Sequence, residues 1–252
     1  SSNTGMGVNV LDANTTGSDN VGIGVDALGA NTTASGNVAI GHESLSTSTT
    51  ASLNIGVGRH SLTSTTTGGS NVAVGEQCMR GNTTGNSNTA VGQGSLFSNT
   101  TANNNTSVGF NTMIANTTGA ENTAVGMAAL DANSTGGANT AIGRSALGAA
   151  TTANNNTAVG YFALLSNTTG IENVAVGGNA LDANTTASNN TALGAFAASA
   201  ITTGANNTAV GRASLFSNTT GHENTAVGKD ALLLNTTASS NTAVGNAALG
   251  SN

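Results

Sequence analysis

The chain has 252 residues, 6% of them charged and 2% aromatic, with 35 Gly, no Pro, no Trp, one Cys and a formal charge of −6. An ordinary globular enzyme core is not built from this composition, and five scattered cations, Arg59, Arg80, Arg144, Arg212 and Lys229, make no surface for nucleic acid. Disorder fits poorly too, because the chain is 37% hydrophobic, poor in charge and positionally regular.

The regularity is a 17-residue unit. An Asn recurs at 3, 20, 37 and onward to 241, so the chain reads as a single repeat domain, residues 1–252, of fifteen coils, the last incomplete. A period this short marks a solenoid, whose units bury a core only by stacking on their neighbours. The expected fold is all-β, a parallel β-solenoid with coils about 4.8 Å apart, hence a rod of roughly 70 Å. Because the pattern runs from end to end without distinct caps, the chain reads as a section of a longer fibre. No apolar run approaches the roughly 18 residues needed to cross a bilayer, so no membrane insertion is expected in this segment.

Each unit is numbered 1 to 17 from its Asn. Position 2 is Thr, Val or Ile, position 3 is small, and position 4 is Val, Ile, Leu or Met, which predicts one short strand whose 2/4 face meets a core. Position 5 is Gly in every copy, from Gly7 to Gly245, as a positive φ or a close backbone approach requires. Positions 8 and 9 form a second apolar patch, compatible with a helical turn at Ala129-Leu130, and Leu in twelve copies of position 9 predicts a stacked ladder. Asn122, Val125, Gly126 and Leu130 represent these ladders. Position 15 is Gly eight times and Ala six, which calls for small volume and not for positive φ.

Asn-Thr-Thr at positions 12 to 14 gives N-glycosylation patterns at Asn14, Asn31, Asn82, Asn99, Asn116, Asn167, Asn184, Asn218 and Asn235, and Asn-Ser-Thr another at Asn133. The competing reading, which we favour, is a stacked Asn ladder that satisfies turn backbone groups.

All eleven acids, all five bases and all six aromatic residues lie at positions 6, 7, 10 or 17, which identifies those positions as solvent-facing. The aromatics Phe97, Phe110, Tyr161, Phe162, Phe196 and Phe216 are the candidate anchors for a partner. No catalytic constellation repeats or clusters, so no enzyme activity and no cofactor are expected. His42, His60 and His222 sit at positions 6, 7 and 16 and are not expected to stack, so no metal site is expected either. Cys78, at the small position 8, reads as a buried substitute for Ala or Ser.

The phrases Asn37-Val38-Ala39-Ile40-Gly41 and Asn71-Val72-Ala73-Val74-Gly75 resemble the Ser/Asn-x-Ala-Ile-Gly motif in the head repeats of YadA-like trimeric autotransporter adhesins, and the Asn-Thr-Ala-Val-Gly repeats of phage tail-fibre-like and bacterial surface proteins. That resemblance implies a homotrimeric left-handed roll with positions 2 and 4, such as Val38 and Ile40 or Thr123 and Val125, at the axis of three chains. A narrow single-chain solenoid is the alternative. The implied function is an extracellular structural and adhesive fibre on a cell surface or virion, partnered by its own copies and by a host receptor or glycan. The competing class is a ligand-binding solenoid, for ice or glycan.

Overall fold

A computed structural model describes residues 2–251, and among them are fifteen three-residue strands and no helix. The chain forms two compact units that meet in sequence at Asn122 and Thr123. The first carries β1 (Thr4–Met6), β2 (Val21–Ile23), β3 (Val38–Ile40), β4 (Ile55–Val57), β5 (Val72–Val74), β6 (Thr89–Val91) and β7 (Thr106–Val108). The second carries β8 (Thr123–Val125), β9 (Thr140–Ile142), β10 (Thr157–Val159), β11 (Val174–Val176), β12 (Thr191–Leu193), β13 (Thr208–Val210), β14 (Thr225–Val227) and β15 (Thr242–Val244). In each unit successive strands pair in parallel with like positions opposite, Val38 beside Ile55 in one and Thr157 beside Val174 in the other. Each is therefore a parallel β-solenoid of 17-residue coils.

The strand is only one of four bonded stretches in a coil. The amides of positions 5 and 7 donate to the preceding coil, as Gly143 N to Val125 O at 2.8 Å and Ser145 N to Met127 O at 3.0 Å. Those of positions 9 and 11 donate to the next, as Leu147 N to Ala163 O and Ala149 N to Leu165 O, both 2.9 Å. Position 13 donates forward and position 17 back, as Thr151 N to Thr168 O at 3.1 Å and Glu172 N to Asn154 O at 3.2 Å.

The reversal of amide direction between positions 7 and 9 comes from left-handed residues at both, Ala128 at φ 52° and Leu130 at φ 53°, where a helical turn was compatible with the sequence. Leucine is rarely found there. It is held because this backbone aims its side chain into the coil, where Leu28, Leu130 and Leu164 are fully buried.

Position 5 meets both requirements read from its glycines. Gly126 has φ 133°, and a Cβ on it would lie 2.6 Å from Gly143 O. Position 15 glycines are absent from the positive-φ set, as the Ala copies predict.

The strand faces are the reverse of the expectation. The small residue at position 3 points inward, with Ala39, Ala124 and Ala158 fully buried, while positions 2 and 4 point out, leaving Val125 37% exposed. The coil is too narrow for a larger inward residue, because position 3 abuts positions 8 and 9. At Gly56 the space a methyl would fill is taken by Ser44 Oγ, which donates to Gly56 O at 3.0 Å. The core is thus Ala at 3, Ala or Ser at 8 and Leu at 9, closed on the far side by Asn. Burying one Leu per coil contributes about 2 kcal/mol, so coils are held by a Leu column and dense hydrogen bonding together.

Candidate functional site

Two Asn columns run through the interior of each unit. At position 1, Asn156 N donates to Asn139 Oδ1 at 3.0 Å, and Asn156 Oδ1 accepts from Asn173 N at 2.9 Å and Asn173 Nδ2 at 3.2 Å. At position 12, Asn184 Nδ2 donates to Asn167 Oδ1 at 2.9 Å. The columns converge, because Asn156 Nδ2 and Asn167 Nδ2 both reach the carbonyl of Gly170, each at 2.9 Å. A small residue at position 15 keeps that carbonyl within reach of both amides.

This geometry decides between the two readings of Asn-Thr-Thr. Asn31, Asn82, Asn99, Asn116, Asn133, Asn167, Asn184 and Asn218 are fully buried, Asn235 is 2% exposed, and the half-buried Asn14 spends its Nδ2 on Gly17 O. Those nitrogens face the interior of the folded coil or are held in its turn, a geometry that favours the ladder reading over the acceptor reading. Where Ile201 replaces Asn, the column stops, and Asn184 Oδ1 is left buried without a hydrogen-bond donor. The Thr hydroxyls of position 13 are also committed, as Thr168 Oγ1 donates to Thr185 O at 3.0 Å.

Function must therefore be sought outside. Every charged side chain is exposed or half-buried, as its position predicts. Of the six aromatics, Tyr161 and Phe162 stack with centroids 3.9 Å apart, and Arg144, one coil earlier, sits 5.7 and 5.8 Å from the two rings. Phe196 and Phe216 line an open groove of about 370 Å³ with Arg212, Ala213, Asp230 and Leu233. Phe97 lies under Arg80 at 6.0 Å, and Phe110 is 50% exposed. The arginines were not singled out from sequence, although the 17-residue offsets of Arg80 from Phe97 and of Arg144 from Tyr161 predict the stacking. Such cation–π pairs pre-order an aromatic surface at about 0.5–1 kcal/mol each.

The second external feature is the strand face. Positions 2 and 4 carry no charge in any coil. From β8 onward position 2 is Thr in every strand but β11, beside an outer row of Val, Ile and Leu that includes Ile142 at 40% and Leu193 at 39% exposure. Two histidines also meet: His42 and His60 pack edge to face with centroids 5.4 Å apart, although their positions in the unit differ.

Cys78 belongs to the core. Its Sγ donates to Ala90 O at 3.3 Å, and burial pushes its pKa from 9.0 up to about 12, against a smaller lowering by a backbone hydrogen bond at Val74. Below pH 9 the thiol is protonated folded or unfolded; above it only the unfolded chain ionises, so stability falls as pH rises from 9 toward 12. A thiol reagent at pH 8 is expected to label the unfolded chain and not the native one.

No family model, curated protein or solved structure matches this chain.

Proposed function

We propose that the chain is a segment of an extracellular structural and adhesive fibre, on a bacterial surface or a phage tail, in which copies associate through the outer strand face. The observation that carries this reading is the uncharged stripe of positions 2 and 4, which stays half-exposed in a single chain while charge crowds the neighbouring turns. Burying one half-exposed Val per coil contributes about 1 kcal/mol, and the identical spacing of coils repeats that gain along the stripe in one register. Three copies sharing the stripe leave the turns of positions 6, 7 and 10 outermost, so Tyr161 with Phe162, and Phe196 with Phe216, would meet a receptor or glycan. Each coil transmits load through hydrogen bonds to its neighbours, the property a stiff spacer needs.

The same face favours one second reading. Regular Thr beside a row of aliphatic side chains on a parallel sheet is a surface that could order water, hence an ice-binding solenoid. The two readings exclude each other, because association buries the face that ice would need.

Native mass spectrometry separates them. The fibre reading expects three times the mass of one chain, and dissociation when Val159 and Val176 are both replaced by Asp, with circular dichroism unchanged. A monomer sinks it, and a monomer that shapes ice crystals establishes the alternative.

A further inference from the structure

The polar column at position 7 of the first unit runs Asn9, Asp26, Glu43, His60 and Gln77, one residue per coil. At its centre Glu43 stands between two imidazoles. One carboxylate oxygen, Oε1, is 4.0 Å from His42 Nδ1, and the other, Oε2, is 3.0 Å from His60 Nδ1. The rings are nearly perpendicular, at 87°. One ligand atom from each of the three residues lies within 4.8 Å of the others.

Three observations separate this cluster from a casual surface ion pair. His60 is 12% exposed at its side chain, and its Nδ1 is buried without a hydrogen bond despite its closeness to Glu43. A buried ring nitrogen whose one polar neighbour is poorly aligned for a hydrogen bond gains from a cation that both can bind. The nearby cation does not compete, because Arg59 turns to Glu76 at 3.5 Å. The positions are also fixed by backbone, since His60 N donates to His42 O at 2.9 Å across adjacent coils.

The geometry points to a binding site for a borderline divalent transition metal such as Zn²⁺, with His42, Glu43 and His60 as ligands. Ligands about 2.0–2.2 Å from Zn²⁺ lie about 3.3 Å from one another in a tetrahedron, so Glu43 and His60 are already placed and only the half-exposed His42 must swing inward. Imidazole and carboxylate suit Zn²⁺ better than Ca²⁺ or Mg²⁺, which take oxygen. Glu43 also lines an open groove of about 440 Å³ with Asn9, Asp12, Asp26, Gly29 and Ser46, so its carboxylate is reached from solvent. Bound metal would tie two adjacent coils together.

Calorimetric titration of the untagged full chain with ZnCl2 at pH 7.5 tests the site. One ion per chain is expected, with affinity falling at least tenfold in His60→Ala, in His42→Ala and in Glu43→Gln. His222→Ala is the control, because His222 also has a carboxylate beside it, Glu223 at 3.9 Å, but no second histidine. It should bind as the parent does. Circular dichroism of each variant separates loss of the site from loss of the fold. No saturable uptake, or uptake undiminished by His60→Ala and His42→Ala, overturns the assignment.

Discussion

Gly160→Ala is expected to destabilise the second unit by about 3–5 kcal/mol, because two costs coincide. The residue sits at φ 137°, and its new methyl would lie 2.6 Å from Gly177 O and 2.7 Å from Gly177 C. Both obstacles are backbone, so no rotamer relieves them. The only relief is to push the two coils apart, which lengthens the bond from Gly177 N to Val159 O and its neighbours. Denaturant unfolding followed by circular dichroism measures the loss. Gly170→Ala is the internal comparison. A methyl on that fixed backbone also crowds the Ala187 carbonyl, yet Ala153 and Ala187 occupy the same position and are buried, so the coil accommodates it. A change below about 1 kcal/mol is expected there. Equal losses at the two sites would refute the role given to position 5.

Asn156→Asp should cost a comparable amount, about 3–5 kcal/mol at neutral pH, by a different route. Asn156 Nδ2 faces the oxygens of Gly170 at 2.9 Å, Asn154 at 3.1 Å and Asn139 at 3.2 Å. An aspartate sets a second acceptor against all three, in a site 1% exposed. The folded state would favour the protonated acid, which restores one donor, so the Asp pKa rises on folding. A raised folded-state pKa means the deficit is smallest below the unfolded value of about 3.9 and grows as pH climbs above it. Unfolding measured at pH 3.5 and pH 7 checks this: a deficit independent of pH would show that the amide's donors do not matter.

Much of this architecture is legible in the residues. The invariance of Gly126 and its equivalents announces a backbone requirement, and substitution of Asn by Ser48, Ala150 or Ile201 marks position 12 as interior support. The outward face is not legible, and the reason is specific. Alternation along Thr123-Ala124-Val125 defines two faces, and hydropathy assigns Val to the core. The coil interior is too thin for it: at the equivalent Gly56 a Cβ already meets Ser44 Oγ, Ser61 Oγ and Leu45 Cδ1, and Ala124 itself is fully buried. The left-handed Leu130 is equally silent, since leucine carries no preference for that conformation. Of the candidate site, the aromatics could be placed outside from their positions alone. The meeting of His42 with His60 could not, because neighbours across coils are 18 residues apart there and sorting residues by like position separates them.

Apart from turns closed within a coil, the hydrogen bonds of a coil end on the coil before it or the coil after it, and every complete coil spends the same number of residues. In a gene this makes length a free variable. Duplicating or deleting 51 nucleotides adds or removes one whole coil and recreates the same contacts at the junction, whereas losing a single codon shifts Gly, Asn and Leu out of their columns from that point on. Recombination between near-identical repeats would therefore change the number of coils without passing through a misfolded intermediate, each step adding or removing one strand spacing of about 4.8 Å within a solenoid unit.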